Sequence, residues 1–331
     1  MISEPMTGRL VQRIDSEPLV APGAVPGYGP IFNAGLIHHD GRYHLFARGV
    51  RDGYRRNPGS GPRFLDYRSD VLLFVSADGR RYEFQKVLAA GGSTPVYSYE
   101  DPRIQQVLSA GRRQLMMTYT DLPEPDSGLP WRIGMHRLVY GDGAFHLNRT
   151  SGRVVGPPGV PDKDAVLFNL HDGRVALLHR IQPNIQLAVF DSLEHLSAPG
   201  PTYWRDHLAQ LEDHVILRPA PGALGIGAGP PPIKTELGLV LFFHERRADG
   251  AYTMKVALLD PDTGRTLSEL PDPVLEPELG WEVNGDVDRV VFVQGAHRRP
   301  DRTIYLTYGA ADRAVGAAVV SEPVLLAALA A

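Results

Sequence analysis

The chain of 331 residues contains no cysteine. Disulfides, thiolate zinc sites, iron–sulfur clusters and cysteine nucleophiles are thereby excluded. It also lacks an excess of positive charge: 34 Lys plus Arg stand against 38 Asp plus Glu, a formal net charge of −4. No basic nucleic-acid surface is expected. Long apolar runs are missing as well. The longest, Val324–Ala331, has eight residues, whereas a membrane-spanning helix needs ~20. Residues 1–20 carry Glu4, Arg9, Arg13, Asp15 and Glu17, which leaves no apolar stretch for a secretory leader. The expectation is a cytoplasmic protein with neither membrane nor nucleic acid as partner.

Familiar site patterns are absent too. There is no GxSxG elbow, Walker loop or HExxH pair. Gly225-Ile226-Gly227-Ala228-Gly229 looks like part of a dinucleotide fingerprint, but Pro230-Pro231-Pro232 follows it. No helix can open there to receive a pyrophosphate. His38 and His39 face opposite ways along an extended strand, so with His44 they do not make a metal site. No metal and no organic cofactor are expected.

Turn residues are abundant. Gly (35) and Pro (29) together make up about a fifth of the chain, spread along its whole length. Evenly spaced turn residues between short apolar runs indicate many short strands. Five segments share one form, a turn followed by an alternating strand. They are Gly41–Arg48, Gly111–Tyr119, Gly173–Arg180, Gly238–Glu245 and Arg302–Gly309, and their starts lie 70, 62, 65 and 64 residues apart. A near-constant spacing marks a repeated supersecondary unit. A second series precedes each strand: Phe32-Asn33-Ala34-Gly35, Glu100-Asp101-Pro102-Arg103, Lys163-Asp164-Ala165, Gly229-Pro230-Pro231 and Asn284-Gly285-Asp286. Further strands follow, such as Ser69–Ser76 and Tyr252–Leu259. Four-stranded units repeated five times predict an all-β, five-bladed β-propeller, with residues 1–331 as a single domain. A large sandwich is the alternative, but sandwiches rarely repeat so regularly. Few helices are expected: Thr202–Leu211 and a short turn from Ser321.

In a propeller, matching ends of the inner strands converge on one axial funnel. The upstream series would bring Asn33, Asp101, Asp164 and Asp286 there. The strand ends would add Arg48, Tyr119, His179, Arg180, His244 and Tyr308. Carboxylates and amides bind hydroxyls, tyrosine stacks on a sugar face, and cationic side chains hold phosphate. The same residues could equally form structural ion pairs between blades. Arg51, Arg55, Arg56, Arg63 and Arg68 surround Asn57-Pro58-Gly59-Ser60-Gly61-Pro62. They make either a solvated loop or an anion-attracting flap over the funnel.

The blocks, in this order, resemble glycoside hydrolase family 130, five-bladed propellers that act on β-mannosides. The matching stretches are Asn33-Ala34-Gly35, Tyr99-Glu100-Asp101-Pro102-Arg103-Ile104, Lys163-Asp164-Ala165 with His179-Arg180, Gly227–Thr235, Phe243-His244 and Tyr308-Gly309-Ala310-Ala311-Asp312. They span about residues 30–320. Most members are inverting phosphorylases that release mannose 1-phosphate; others are β-mannosidases using water. The resemblance implies Asp101 as the proton donor, acting through a hydroxyl of the bound mannose. It implies substrate contacts from Asn33, Arg48, Arg103, Tyr119, Asp164, Tyr308 and Asp312. Arg48, Lys163, Arg180 and His244 would hold inorganic phosphate as co-substrate. Inverting hydrolysis needs a second carboxylate as base, with room for a water, whereas phosphorolysis needs a cationic cradle. The cations at family positions favour phosphate. The sequence departs from the family at Leu239, where a tryptophan is usual. It departs again at Glu245, where a carboxylate follows His244 and could repel phosphate or serve as a base. The rivals are a β-mannosidase and a catalytically silent mannoside-binding propeller. Acceptor sugar, linkage and oligomeric state, homo-oligomers included, stay open at this point.

Overall fold

The computed structural model describes residues 10–60, 63–92 and 96–331. Five antiparallel sheets follow one another around an axis. The first runs outward from the axis as Tyr28–His39, Arg42–Arg51, Ser69–Ser76 and Glu83–Ala89. The second begins with Ser98–Ser109 and Arg112–Leu122, the third with Lys163–Asn169 and Val175–Arg180. The fourth has Gly225–Ala228 innermost, then Leu239–Arg246 and Tyr252–Leu259. The fifth comprises Val291–Arg298, Thr303–Ala310 and Ala314–Ser321, and the N-terminal strand Val11–Arg13 supplies its outer edge. This pairing joins the first described strand to the last and closes the ring.

The reason these segments stack radially lies in their two-residue period. Leu45 and Ala47 pack toward the fifth blade, whereas Phe46 between them packs toward the second. Likewise Val175 and Leu177 face the second blade, and Ala176 and Leu178 face the fourth. Every blade is therefore apolar on both faces, and an apolar cluster fills each gap between neighbouring blades. Two-sided burial explains why the central strands read as nearly continuous apolar runs.

The repeated segments Gly41–Arg48, Gly111–Tyr119, Gly173–Arg180, Gly238–Glu245 and Arg302–Gly309 are the second strands of the five blades. The upstream series is the innermost strand in three blades. In each of these, one residue sits at a positive φ inside a break in register: Asn33 (φ 45°), Asp101 (φ 49°) and Asp164 (φ 55°). Asn and Asp tolerate the left-handed region better than other side chains. A bulge bends its strand and re-aims the side chain. Three blades thus use one device to turn a polar residue toward the axis.

The fifth member of the series is corrected. Asn284-Gly285-Asp286 is not on the inner strand but on the loop before it, where the Asp286 N–H donates to Ala311 O at 3.0 Å. The fifth blade's bulge is at Gln294, between Val293 and Gly295. The helix expected over Thr202–Leu211 forms at Tyr203–Ala209, preceded by a short one at Leu193–Ser197. The C-terminal turn is longer than expected, a helix over Glu322–Ala330, because Leu325, Leu326 and Leu329 bury against the fourth and fifth blades. Among the described residues no helix is long and apolar enough to cross a membrane.

Candidate active site

A cavity of about 260 Å³ opens at the end of the axis where the bulges lie. Its acidic groups are Glu100, Asp101 and Asp312, with Asn33 beside them. Its cations are Arg48, Arg63, Lys163 and Arg246, and Tyr252, Val290 and Phe292 give it an apolar wall. All five blades contribute.

Asp101 is the hub. Its Oδ1 accepts from Asn33 Nδ2 at 2.8 Å and from Arg48 Nη1 at 3.3 Å. Arg48 also pairs with Glu100, so one guanidinium joins two adjacent carboxylates. Burial pushes the Glu100 carboxyl up, and the neighbouring Asp101 adds to this while Arg48 opposes it. Asp312 sits at φ 54° in the turn after the Tyr308 strand. Burial raises its pKa to about 7, with Asp101 and Glu100 adding to the rise and Arg48 opposing it. Gly309 is required where it stands: a Cβ there would fall 1.7 Å from Asn33 Oδ1.

Asp164, the third bulge residue, lies beneath the cavity and does not line it. Arg103 Nη2 donates to its Oδ1 at 3.1 Å, and Arg180 Nε approaches Oδ2 to 2.9 Å. Burial alone would raise its pKa. Arg180 and Arg103 outweigh that and hold it well below the usual carboxylate range. Arg103 is itself fully buried and donates to the carbonyls of Asp101, Ala228 and Gly229. These two residues join the second, third and fourth blades.

Arg48 is paired, but other cations of the cavity are not. Among the described residues the Lys163 ammonium forms no hydrogen bond or ion pair, although it lines the cavity. Arg246 forms no ion pair either and lies over the Tyr252 ring, 5.6 Å from its centroid. Lys163 also lines an adjoining groove of about 240 Å³, together with Trp131 and Arg180. His244 is buried against Phe292, with ring centroids 3.9 Å apart, and its Nε2 is 3.6 Å from Asp164 Oδ2. Burial, reinforced by Arg180 and Arg103 despite Asp164, lowers its pKa to about 3. At neutral pH it is an uncharged imidazole.

Two expected aromatic contacts are not at the cavity. Tyr119 stacks on His136 inside the second blade and packs against the first. Tyr308 is fully buried, and its hydroxyl donates to Glu282 at 2.8 Å. His179 is also turned away, bonded to Asp162 at 2.8 Å and to His207 at 3.1 Å. Glu245 points to the other side of its strand from His244 and accepts from the Ala220 N–H at 2.8 Å. It therefore adds no charge to the cavity. The sequence reading did not single out Glu100, Arg246, Tyr252 or Phe292. Strand alternation could have found Arg246, which shares a face with His244. Among the described residues no group of three or more His, Asp or Glu side chains is arranged to hold a metal ion.

A cavity that holds three carboxyl groups together with unpaired cations suits a polyol next to an anion. Comparison with known proteins agrees. Residues 9–329 match the family described as β-1,4-mannooligosaccharide phosphorylase. A 1,2-β-oligomannan phosphorylase of Thermoanaerobacter sp. (strain X514) is 29% identical over 320 residues, covering 94% of this chain and 97% of the relative. A β-1,2-mannobiose phosphorylase of the same strain is 31% identical over 302 residues, covering 88% and 90%. The solved structure of β-1,2-mannobiose phosphorylase from Listeria innocua in complex with β-1,2-mannobiose superposes with a TM-score of 0.75. It is 20% identical, with 97% of this chain and 99% of that one covered, and so shares the fold. With its propeller, its order of blocks and a family match over nearly its whole length, the chain belongs to glycoside hydrolase family 130.

Proposed function

We propose that the protein cleaves β-linked mannosides by inverting phosphorolysis, with β-1,2-linked mannosides as substrate and Asp101 as proton donor. The observation that carries this reading is that one cavity holds Asp101 together with two cations, Lys163 and Arg246, that form no ion pair among the described residues. Unpaired cations in a partly closed site favour a dianion. The names of the two Thermoanaerobacter relatives support the β-1,2 linkage.

The reaction balances without a cofactor. Hydrogen phosphate attacks the anomeric carbon, the bond to the leaving oxygen breaks, and α-mannose 1-phosphate forms with inversion. Asp101 gives a proton, through a hydroxyl of the bound mannose, to the leaving oxygen. The proton released from the phosphate restores Asp101. Asn33 and Arg48 fix one oxygen of the Asp101 carboxyl and leave the other for the proton. Lys163, Arg180 and Arg246 supply the charge that phosphate needs. His244, being uncharged, supports Asp164 rather than binding phosphate as a cation. Asp164 and Arg103 act beneath the sugar, holding the floor of the site in place.

The test is incubation with β-1,2- and β-1,4-mannobiose, with and without phosphate. The expected result is mannose 1-phosphate from the β-1,2 disaccharide and no release of mannose when phosphate is left out. Equal release without phosphate would make the protein a β-mannosidase. Binding without turnover would make it a mannoside-binding propeller.

A further inference from the structure

The third blade carries a helical segment between its third strand, Ile185–Phe190, and its fourth, Val215–Leu217. The helix Tyr203–Ala209 within that segment buries Trp204 and His207. His207 ends a chain of buried polar side chains. Asp162 Oδ2 meets His179 Nδ1 at 2.8 Å, and His179 Nε2 meets His207 Nε2 at 3.1 Å. The other oxygen of Asp162 accepts from the Arg180 backbone N–H at 3.0 Å. All three side chains of the chain are buried. The His207 ring is held in turn by His214, stacked at 4.0 Å between centroids, and by Trp204, edge-on at 5.3 Å.

Burial, with His179 and His214 adding to it, lowers the His207 pKa to about 3. At neutral pH His207 is therefore uncharged, with one N–H and one lone pair. The contact between the two Nε2 atoms holds a single proton, because two donors or two lone pairs would repel. With both nitrogens engaged, the His179 ring cannot turn, and the hydrogen bond at one nitrogen fixes what the other does. The Asp162 carboxylate is oriented in the same way, one oxygen on His179 and the other on the Arg180 N–H. That tie falls where the sheet holds its strands least. Lys163 is the first residue of its strand, Arg180 is the last of its own, and the two are partners in register. Immediately inward the register breaks between Lys163 and Val166. The two cations thus sit beyond a bulge, and Asp162, next in the chain to Lys163, secures both strand ends.

From this we infer that His207 is a positioning residue for phosphate, acting through His179 and Asp162 to fix the strand ends that carry Lys163 and Arg180. The inference rests on the phosphorylase reading above, in which those two cations hold the anion. His207 lines neither the axial cavity nor the groove beside it. Without its nitrogen, His179 Nε2 is left buried and unpaired, a costly state that the ring escapes by turning. Asp162 then loses its orientation, and with it the bond to the Arg180 N–H. Asn33, Arg48 and Asp101 belong to the first and second blades and have no bond to this chain of side chains. The effect therefore falls on phosphate and not on the mannoside.

The experiment measures mannose 1-phosphate formation from β-1,2-mannobiose over a phosphate titration. His207→Phe keeps a ring to stack on His214 and removes the nitrogen that His179 needs. It should raise the KM for phosphate about fivefold, less than the loss of a whole charge-assisted hydrogen bond. The KM for mannobiose should stay within about twofold of wild type. His207→Gln places an amide nitrogen near the position of Nε2 and should return the phosphate KM most of the way to wild type. A merely structural role would lower the melting temperature and the amount of active enzyme without separating the two KM values. Should His207→Phe not fold, His207→Leu, which suits a helix and also lacks the nitrogen, takes its place with the same expectation. An unchanged phosphate KM, an equal rise in both KM values, or no rescue by glutamine overturns the inference and leaves the phosphorylase reading standing. A wild type that releases mannose equally well without phosphate overturns the phosphorylase reading, and this inference with it.

Discussion

Replacing Asp101 with asparagine tests the proton donor with little structural disturbance. Asparagine keeps an oxygen where Asn33 Nδ2 and Arg48 Nη1 now donate, at 2.8 and 3.3 Å. It also tolerates the left-handed backbone, here φ 49°, nearly as well as aspartate does. Alanine would lose both properties and would leave Arg48 short of a partner. What Asp101→Asn removes is the transferable proton. General acid catalysis contributes roughly 10²–10⁴-fold, or about 2.7–5.4 kcal/mol of transition-state stabilisation. The rate of mannose 1-phosphate formation from β-1,2-mannobiose should fall by that factor, with the melting temperature little changed. A mannoside with a leaving group of low pKa needs less protonation, so the loss on such a substrate should be much smaller. A variant that keeps near-normal turnover of mannobiose would refute the assignment. So would an equal loss on both substrates, which would indicate damage to binding.

Lys163→Ala should raise the KM for phosphate roughly 10- to 150-fold, the equivalent of one charge-assisted hydrogen bond, while the KM for the mannoside changes far less. Arg180→Ala should act in the same direction and also lower the melting temperature, because it strips a partner from the buried Asp164. A larger change in the mannoside KM than in the phosphate KM would contradict both. Asp312, raised to about 7, holds a proton that the unfolded chain has already lost between about pH 4 and pH 7. Its contribution to stability therefore falls as the pH rises through that range and levels off above it. Asp312→Asn cannot ionise, so its melting temperature relative to wild type should be higher at pH 8 than at pH 5; a difference independent of pH would show that the carboxyl is not titrating. Glu245→Gln should leave the phosphate dependence of the rate unchanged, since that carboxylate caps the Ala220 N–H away from the cavity. A mannosidase reading with Glu245 as base requires the opposite, a loss of phosphate-independent release.

The amino-acid sequence by itself determined the blades and their number. Alternating apolar strands whose starts recur every 62 to 70 residues, with glycine and proline turns between them, mark a repeated four-stranded unit that buries both faces by stacking around an axis. It also marked Asn33, Asp101 and Asp164, because short polar side chains inside an apolar strand need a local reason, here a bulge in the left-handed region. Tertiary structure decided which strand-end residues reach the axis. A strand presents alternate faces, and one extra residue in a bulge reverses them. Spacing therefore could not distinguish Arg48 and Arg246, which line the cavity, from Tyr119 and Tyr308, which fill the blades. Nor could it show that Asp164 is held by Arg103 from the blade before and by Arg180 from its own, while Lys163 next to it forms no ion pair among the described residues. Those partners lie 61 and 16 residues away in sequence, and only the stacking of neighbouring blades brings the more distant one into contact.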